Sequence, residues 1–159
     1  MSVQSTESSH PLLSQTDSIA ASATDAVLLV GRVLLGWLFL MSAAGMGGKL
    51  WNIAGFAGYL KNLGAPAPEI TAWIGALLEL VIGLALVLGI GTRYAALLCV
   101  LFLIMATALA HRYWEYPAAQ VVAQYNNFLK NLAIGGGALL LFVTGPGRFS
   151  IDRSLAKKR

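Results

Sequence analysis

The stretch ALLELVIGLALVLGIGTRYAALL, residues 76–98, decides the fold. It joins the end of one apolar run, 71–90, to the start of another, 94–110, through Gly91-Thr92-Arg93. A helix needs about 20 apolar residues to cross roughly 30 Å of hydrocarbon. The two runs and their tight connection therefore predict an antiparallel hairpin of membrane-crossing helices. Outward from it, residues 26–48 and 128–145 are apolar over comparable lengths. Gly145-Pro146-Gly147 stops the last run, because Pro withholds a backbone donor and Gly relaxes the chain. The expected fold class is all-α, an integral membrane four-helix bundle.

Composition agrees. The 159 residues are 57% hydrophobic and only 11% charged, with a mean hydropathy of +0.71. Soluble domains carry about a quarter charged residues; here lipid takes the place of water. The net charge of +4 is not a nucleic-acid footprint, since five of the basic residues lie in the last twelve positions. Cys99 is the single cysteine, so a dithiol motif within the chain is excluded.

Residues 1–25 are rich in Ser, Thr and Ala and hold no Lys or Arg. Such a segment buries too little to offset ordering and reads as a disordered tail, not as a signal peptide. Residues 26–153 then form the bundle, and 154–159 a basic tail. Of the two longer connections, 49–70 carries a short amphipathic piece suited to the membrane interface. The other, 111–127, holds the aromatic-rich HRYWEY at 111–116, an interfacial composition. Arg93 and the basic C-terminal run place both termini on the cytoplasmic side, with 49–70 and 111–127 outside.

Ionisable residues within the spans carry the functional information, because a charge at the bilayer centre costs about 2.5–3.5 kcal/mol even on lenient scales. Glu79 shares a helical face with Ala72, Gly75, Ala76 and Gly83, so it should point into the bundle. It reads either as interhelical glue or as a proton- or ligand-handling group. Arg32, two turns inside the first span, is the expected counter-ion; snorkelling to the interface is its other reading. Lys49 and Lys130 read first as interfacial anchors. Asn131 lies on the small-residue side of its helix with Gly135 and Ala138, and should look inward. His111 has the chemistry of a proton shuttle near neutral pH, although a single interfacial His is commonly just solvated. These placements predict a polar pocket between the second and fourth spans. Glu79 and His111 would relay protons there, Lys130 or Asn131 would donate to a ligand carbonyl, and Trp73, Trp114 and Phe128 would line the mouth.

Several chemistries are excluded. His10 and His111 do not make a bis-histidine haem site. HExxH and P-loop motifs are absent, and Gly135-Gly136-Gly137 inside a span reads as helix packing. No metal site and no covalent cofactor are expected.

In order and spacing, these stretches resemble the DoxX family of bacterial membrane proteins. The resemblance rests on Gly31-Arg32 followed by Gly36 and Lys49, FAGYLKNLGAPAPE at 56–69 and the hairpin at 76–98. HRYW at 111–114 and FLKNLAIGGGALLLFVTGPGRFSIDR at 128–153 complete it. It implies a four-helix bundle in the bacterial inner membrane. It further implies a quinone-linked or redox-associated subunit working with a partner oxidoreductase, since the family takes its name from a quinone-linked thiosulfate-oxidising enzyme. Quinone is the cofactor so implied; the lipid bilayer, an oxidoreductase and further copies of the chain are the implied partners. A non-catalytic assembly factor and a binder of a small hydrophobic molecule are the competing readings.

Overall fold

The computed structural model describes residues 21–157, and within them every regular element is a helix. Four helices are long and apolar enough to cross a membrane. They are α1 (Ala21–Ala44), α3 (Pro68–Leu88), α4 (Thr92–Ala110) and α5 (Ala118–Thr144). Among the described residues there are also two short α-helices, α2 (Ile53–Asn62), before α3, and α6 (Ile151–Ala156), after α5, and two single 3-10 turns, Lys49–Asn52 and Tyr113–Glu115. Residues 1–20, which hold most of the expected tail, lie outside the described residues, as do Lys158 and Arg159.

The helix limits follow backbone signals more than hydropathy. The first helix already runs at Ala21 and stops at Ala44, where the glycines of Gly45-Met46-Gly47-Gly48 begin. Gly47 takes a left-handed conformation, φ 75°, which a side chain would strain. The segment 111–127, expected as a connection, is helical from Ala118 onward. Pro117 precedes the first turn and no breaker follows, so the polar run Gln124 to Asn127 simply continues the helix. Pro68 is itself the first residue of α3, where its missing N–H costs nothing, and Gly89 closes that helix at φ 70°.

Packing is uneven around the bundle. The α1–α3 seam is the tightest: a Cβ added to Gly36 would lie 2.8 Å from the Gly83 carbonyl oxygen, and one on Gly83 2.9 Å from that of Gly36. The two backbones touch, as small residues permit in membranes. A central core of Phe39, Ile82, Leu86, Ala96, Cys99 and Ala138 holds the half of the bundle near the α3–α4 turn. At the opposite end α2 folds down onto α3, burying Ala57, Leu60 and Ala65 against Ala72. The amphipathic piece expected at the interface is thus also a lid over one end of the bundle.

Candidate functional site

On α3 the buried stripe runs Ala72, Ala76, Glu79, Ile82, Gly83 and Leu86, the three- and four-residue spacing of one helical face. It carries the Glu79 carboxylate inward, as the small neighbours require. The partner of Glu79 comes from an unexpected direction. After α1 ends, the Gly45–Gly48 bend turns the chain back, and Lys49 returns over the bundle end. Its Nζ donates to both Glu79 carboxylate oxygens at 2.6 Å and to Ser42 Oγ at 2.8 Å. The Phe56 ring centroid lies 5.2 Å from the same ammonium, a cation–π distance. Lys49 is therefore not a free interfacial anchor.

This corrects the pairing of Arg32 with Glu79. Arg32 lies against Gly89, ten residues and thus about 15 Å along α3 from Glu79. Its side chain is fully buried, and Nη2 donates to the Phe149 carbonyl oxygen at 2.6 Å. That backbone acceptor takes the hydrogen bond of the guanidinium; Nε and Nη1 are buried without a hydrogen-bond partner among the described residues.

Beneath the α2 lid, a cavity of about 340 Å³ opens between the spans. Its walls are mainly apolar, with Phe39 from α1, Phe56 from α2, Phe102 and Leu103 from α4 and Ile134 from α5. Ser42, Lys49 and Glu79 form the polar wall on the α1–α3 side. His111, Lys130 and Asn131 line the α4–α5 side, so one cavity brings these three together with Glu79, as the sequence reading expects. Asn131 is buried and donates from Nδ2 to Thr107 Oγ1 at 3.0 Å. His111 Nδ1 lies 2.8 Å from the Gln124 side-chain amide, a hydrogen bond that fixes the ring's orientation at the cavity edge. Lys130 is exposed at the rim, 3.2 Å from Asn127 Oδ1.

The three aromatic residues expected at the mouth are outside the cavity wall. Trp114 and Phe128 instead pack edge-on against Tyr113, with centroids 5.1 and 5.6 Å away. Trp73 is half exposed on the outer face of α3, one position past the buried Ala72. The aromatic residues that do line the cavity are Phe39, Phe56, Tyr59 and Phe102. Of the polar groups that sequence reading missed, Ser42, Thr107 and Gln124 are short-range partners of the predicted ones. For the pairing role of Lys49, the one signal in the sequence is its place after a glycine-rich bend.

At the other end, the chain after α5 closes under the bundle. The Asp152 carboxylate accepts from the backbone N–H groups of Gly91 at 2.7 Å and Thr92 at 2.9 Å, capping α4. Burial works against the Asp152 charge. The two backbone donors and nearby Arg32 nonetheless hold its carboxyl below the usual carboxylate range.

The order of these elements, with the glycine-rich bend before Lys49 and the short hairpin after α3, has a counterpart among known sequences. The sequence model of the DoxX family matches residues 27–112. The chain belongs to the DoxX family. Among curated proteins, it is similar to the inner membrane protein YphA of Escherichia coli, 33% identical over 132 residues, covering 83% of this chain and 92% of YphA. It is also similar to the inner membrane protein YqjF of the same organism, 39% identical over 134 residues, covering 84% of this chain and 95% of YqjF. A Surfeit locus protein 4 homolog of Schizosaccharomyces pombe matches 42% of this chain and 22% of its own length at 34% identity. No solved structure matches. The DoxX match takes in α1 to α4, and with them the Lys49–Glu79 pair and His111. Lys130 and Asn131, on α5, lie beyond it.

Proposed function

We propose that this DoxX protein sits in the bacterial inner membrane with both termini in the cytoplasm, and that its cavity holds the head of a flat, lipid-soluble ring such as a quinone. The observation that carries this reading is the cavity itself, about 340 Å³ between spans, mainly apolar, with polar side chains contributed from both the α1–α3 and the α4–α5 sides. That volume is in the range of small-molecule sites, which combine apolar walls with a few placed polar groups. The residues fit a quinone: Lys130 and Asn131 are donors for ring carbonyls, and phenyl rings from three helices suit an aromatic head. A bound quinone would supply two-electron, two-proton redox chemistry. The chain's own part is to orient the ring through Lys130 and Asn131, exclude water with α2, and relay protons through Glu79 and His111. Electrons would come from a partner oxidoreductase. The names of YphA and YqjF support the inner-membrane placement, and the basic residues near the tail end support the orientation.

The test is the lipid extract of the gently purified protein. Gly75 lines the cavity with room for a Cβ, whose nearest neighbour would be the Phe56 ring at 3.6 Å. Gly75→Leu should therefore fill the site and leave the Lys49–Glu79 pair in place. Quinone should accompany the wild type in near-stoichiometric amount and be depleted at least tenfold in Gly75→Leu at equal folding. Equal quinone in both would refute the reading and favour the non-catalytic assembly role.

A further inference from the structure

The segment after α5 carries a surface that the cavity does not use. Helix α6 is pinned to the bundle at a defined level. The Asp152 N–H donates to the Gly89 carbonyl at 2.9 Å, and its carboxylate caps Gly91 and Thr92. Gly89 ends α3 and Thr92 begins α4, so α6 sits at the depth where two spans turn round. On the other flank, the Arg148 N–H donates to Asp25 of α1 at 2.8 Å. The exposed Val27 and Val30 of α1 lie next in sequence, so apolar surface continues past the turn at this end of the bundle.

What α6 presents there has two sides. Ile151 and Leu155, four apart on one face, are 39% and 58% exposed, and Phe149 just before them is 56% exposed. Three large apolar side chains left out of the core on so short a segment need a solvent other than water. Arg153 and Lys157, also four apart, share a different face, and Arg148 beside them is exposed although its Nε lies 3.8 Å from the Asp25 carboxylate. The sequence continues with Lys158 and Arg159. A helix held flat at the membrane boundary, apolar to one side and cationic to the other, matches the acyl–headgroup border of a bilayer.

We infer that residues 148–157 form a docking surface for anionic phospholipid. Phe149, Ile151 and Leu155 enter the acyl boundary, while Arg148, Arg153 and Lys157 contact lipid phosphates. Charge complementarity selects this occupant: a basic juxtamembrane cluster gains about fivefold in lipid affinity per cationic side chain. The Asp152 cap ties the surface to the α3–α4 turn, so lipid bound there braces the bundle end.

The test uses the full-length protein in nanodiscs of phosphatidylcholine alone or with one third phosphatidylglycerol. Native mass spectrometry after release reads the retained lipid, and an indole introduced by Phe149→Trp, in a background with Trp37, Trp51, Trp73 and Trp114 changed to Phe, reads depth through quenching by brominated acyl chains. The wild type should retain phosphatidylglycerol at least tenfold over phosphatidylcholine. The triple variant Arg148→Gln, Arg153→Gln and Lys157→Gln should lose that preference while keeping its helix content. The indole at position 149 should be quenched with or without the triple change. A wild type without lipid preference, or a triple variant that keeps it, would overturn the assignment. An unquenched indole would also overturn it, pointing to water or, with cross-linked dimers, to a second copy of the chain.

Discussion

Removing Lys49 should damage the fold more than removing Lys49 and Glu79 together. The Glu79 side chain is 7% exposed and takes two 2.6 Å hydrogen bonds from Lys49, whose side chain is 26% exposed. Truncating one partner of a buried pair strands the other and costs about 3–5 kcal/mol. Lys49 retains some access to solvent, which sets the expectation near the lower end, about 3 kcal/mol for Lys49→Met. Replacing both, as Lys49→Met with Glu79→Leu, removes the stranded charge along with its partner and should recover most of the loss. The coupling energy from the double-mutant cycle should be about 2 kcal/mol or more, within the range for contacting residues. The assay is reversible unfolding in mixed micelles, followed by tryptophan emission; of the four indoles, that of Trp51 donates from Nε1 to the Ala44 carbonyl at 2.8 Å beside the pair. The same cycle on Arg32 and Glu79 should be additive within about 0.5 kcal/mol, since the two sit at different levels of the bundle. Coupling between Arg32 and Glu79, with none between Lys49 and Glu79, would refute the pairing.

Gly83→Leu should abolish assembly of the α1–α3 seam, because its first side-chain atom already meets the Gly36 carbonyl at 2.9 Å; loss of the monodisperse peak on size exclusion checks it, with Gly136→Leu, open at that position, as the tolerated control. Asp152→Asn should cost about 1–3 kcal/mol near neutral pH by weakening charge-assisted bonds to Gly91 and Thr92. Because the folded carboxyl titrates below its ordinary value, that advantage is fully present above about pH 4 and disappears as the pH falls through the lower folded value. Unfolding curves of the two proteins should therefore converge only in strong acid; convergence between about pH 5 and 7 would contradict the capping role. In a Cys99→Ala background, a cysteine at position 61 should react with an impermeant reagent in whole cells and one at 155 should not; the reverse pattern would overturn the orientation.

Much of this architecture was legible because it depends on local chemistry. The inward direction of Glu79 follows from small residues three, four and seven places away, and that of Asn131 from Gly135 and Ala138. The hairpin at 76–98 needed only two apolar runs and a short polar connection. What escaped sequence reading depends on where a bend sends the chain. Lys49 reaches Glu79 because Gly45–Gly48 reverses direction, and the residue types alone do not encode the angle of that return. Arg32 bonds to a backbone carbonyl 117 positions away, and a backbone acceptor leaves no mark in composition. The helical start of α5 at Ala118 was hidden because hydropathy reports solvent whereas helix formation reports backbone, and the polar Gln124–Asn127 turn separates the two. The misassigned Trp114 and Phe128 show the same limit: interfacial aromatic residues can face a cavity or one another, and Tyr113 captured both.

Photoaffinity labelling tests most directly whether the cavity under α2 receives a lipid-soluble ring. Membranes holding the wild-type protein would be equilibrated with an azido-benzoquinone analogue, illuminated and mapped by peptide mass spectrometry. Label is expected on cavity residues, with Phe39, Phe56, Phe102 and Ile134 in the modified peptides, competed by excess natural quinone and absent from Gly75→Leu. Label spread over lipid-facing positions such as Leu140 and Val143, both exposed on α5, and unaffected by competitor, would contradict a quinone site in this cavity.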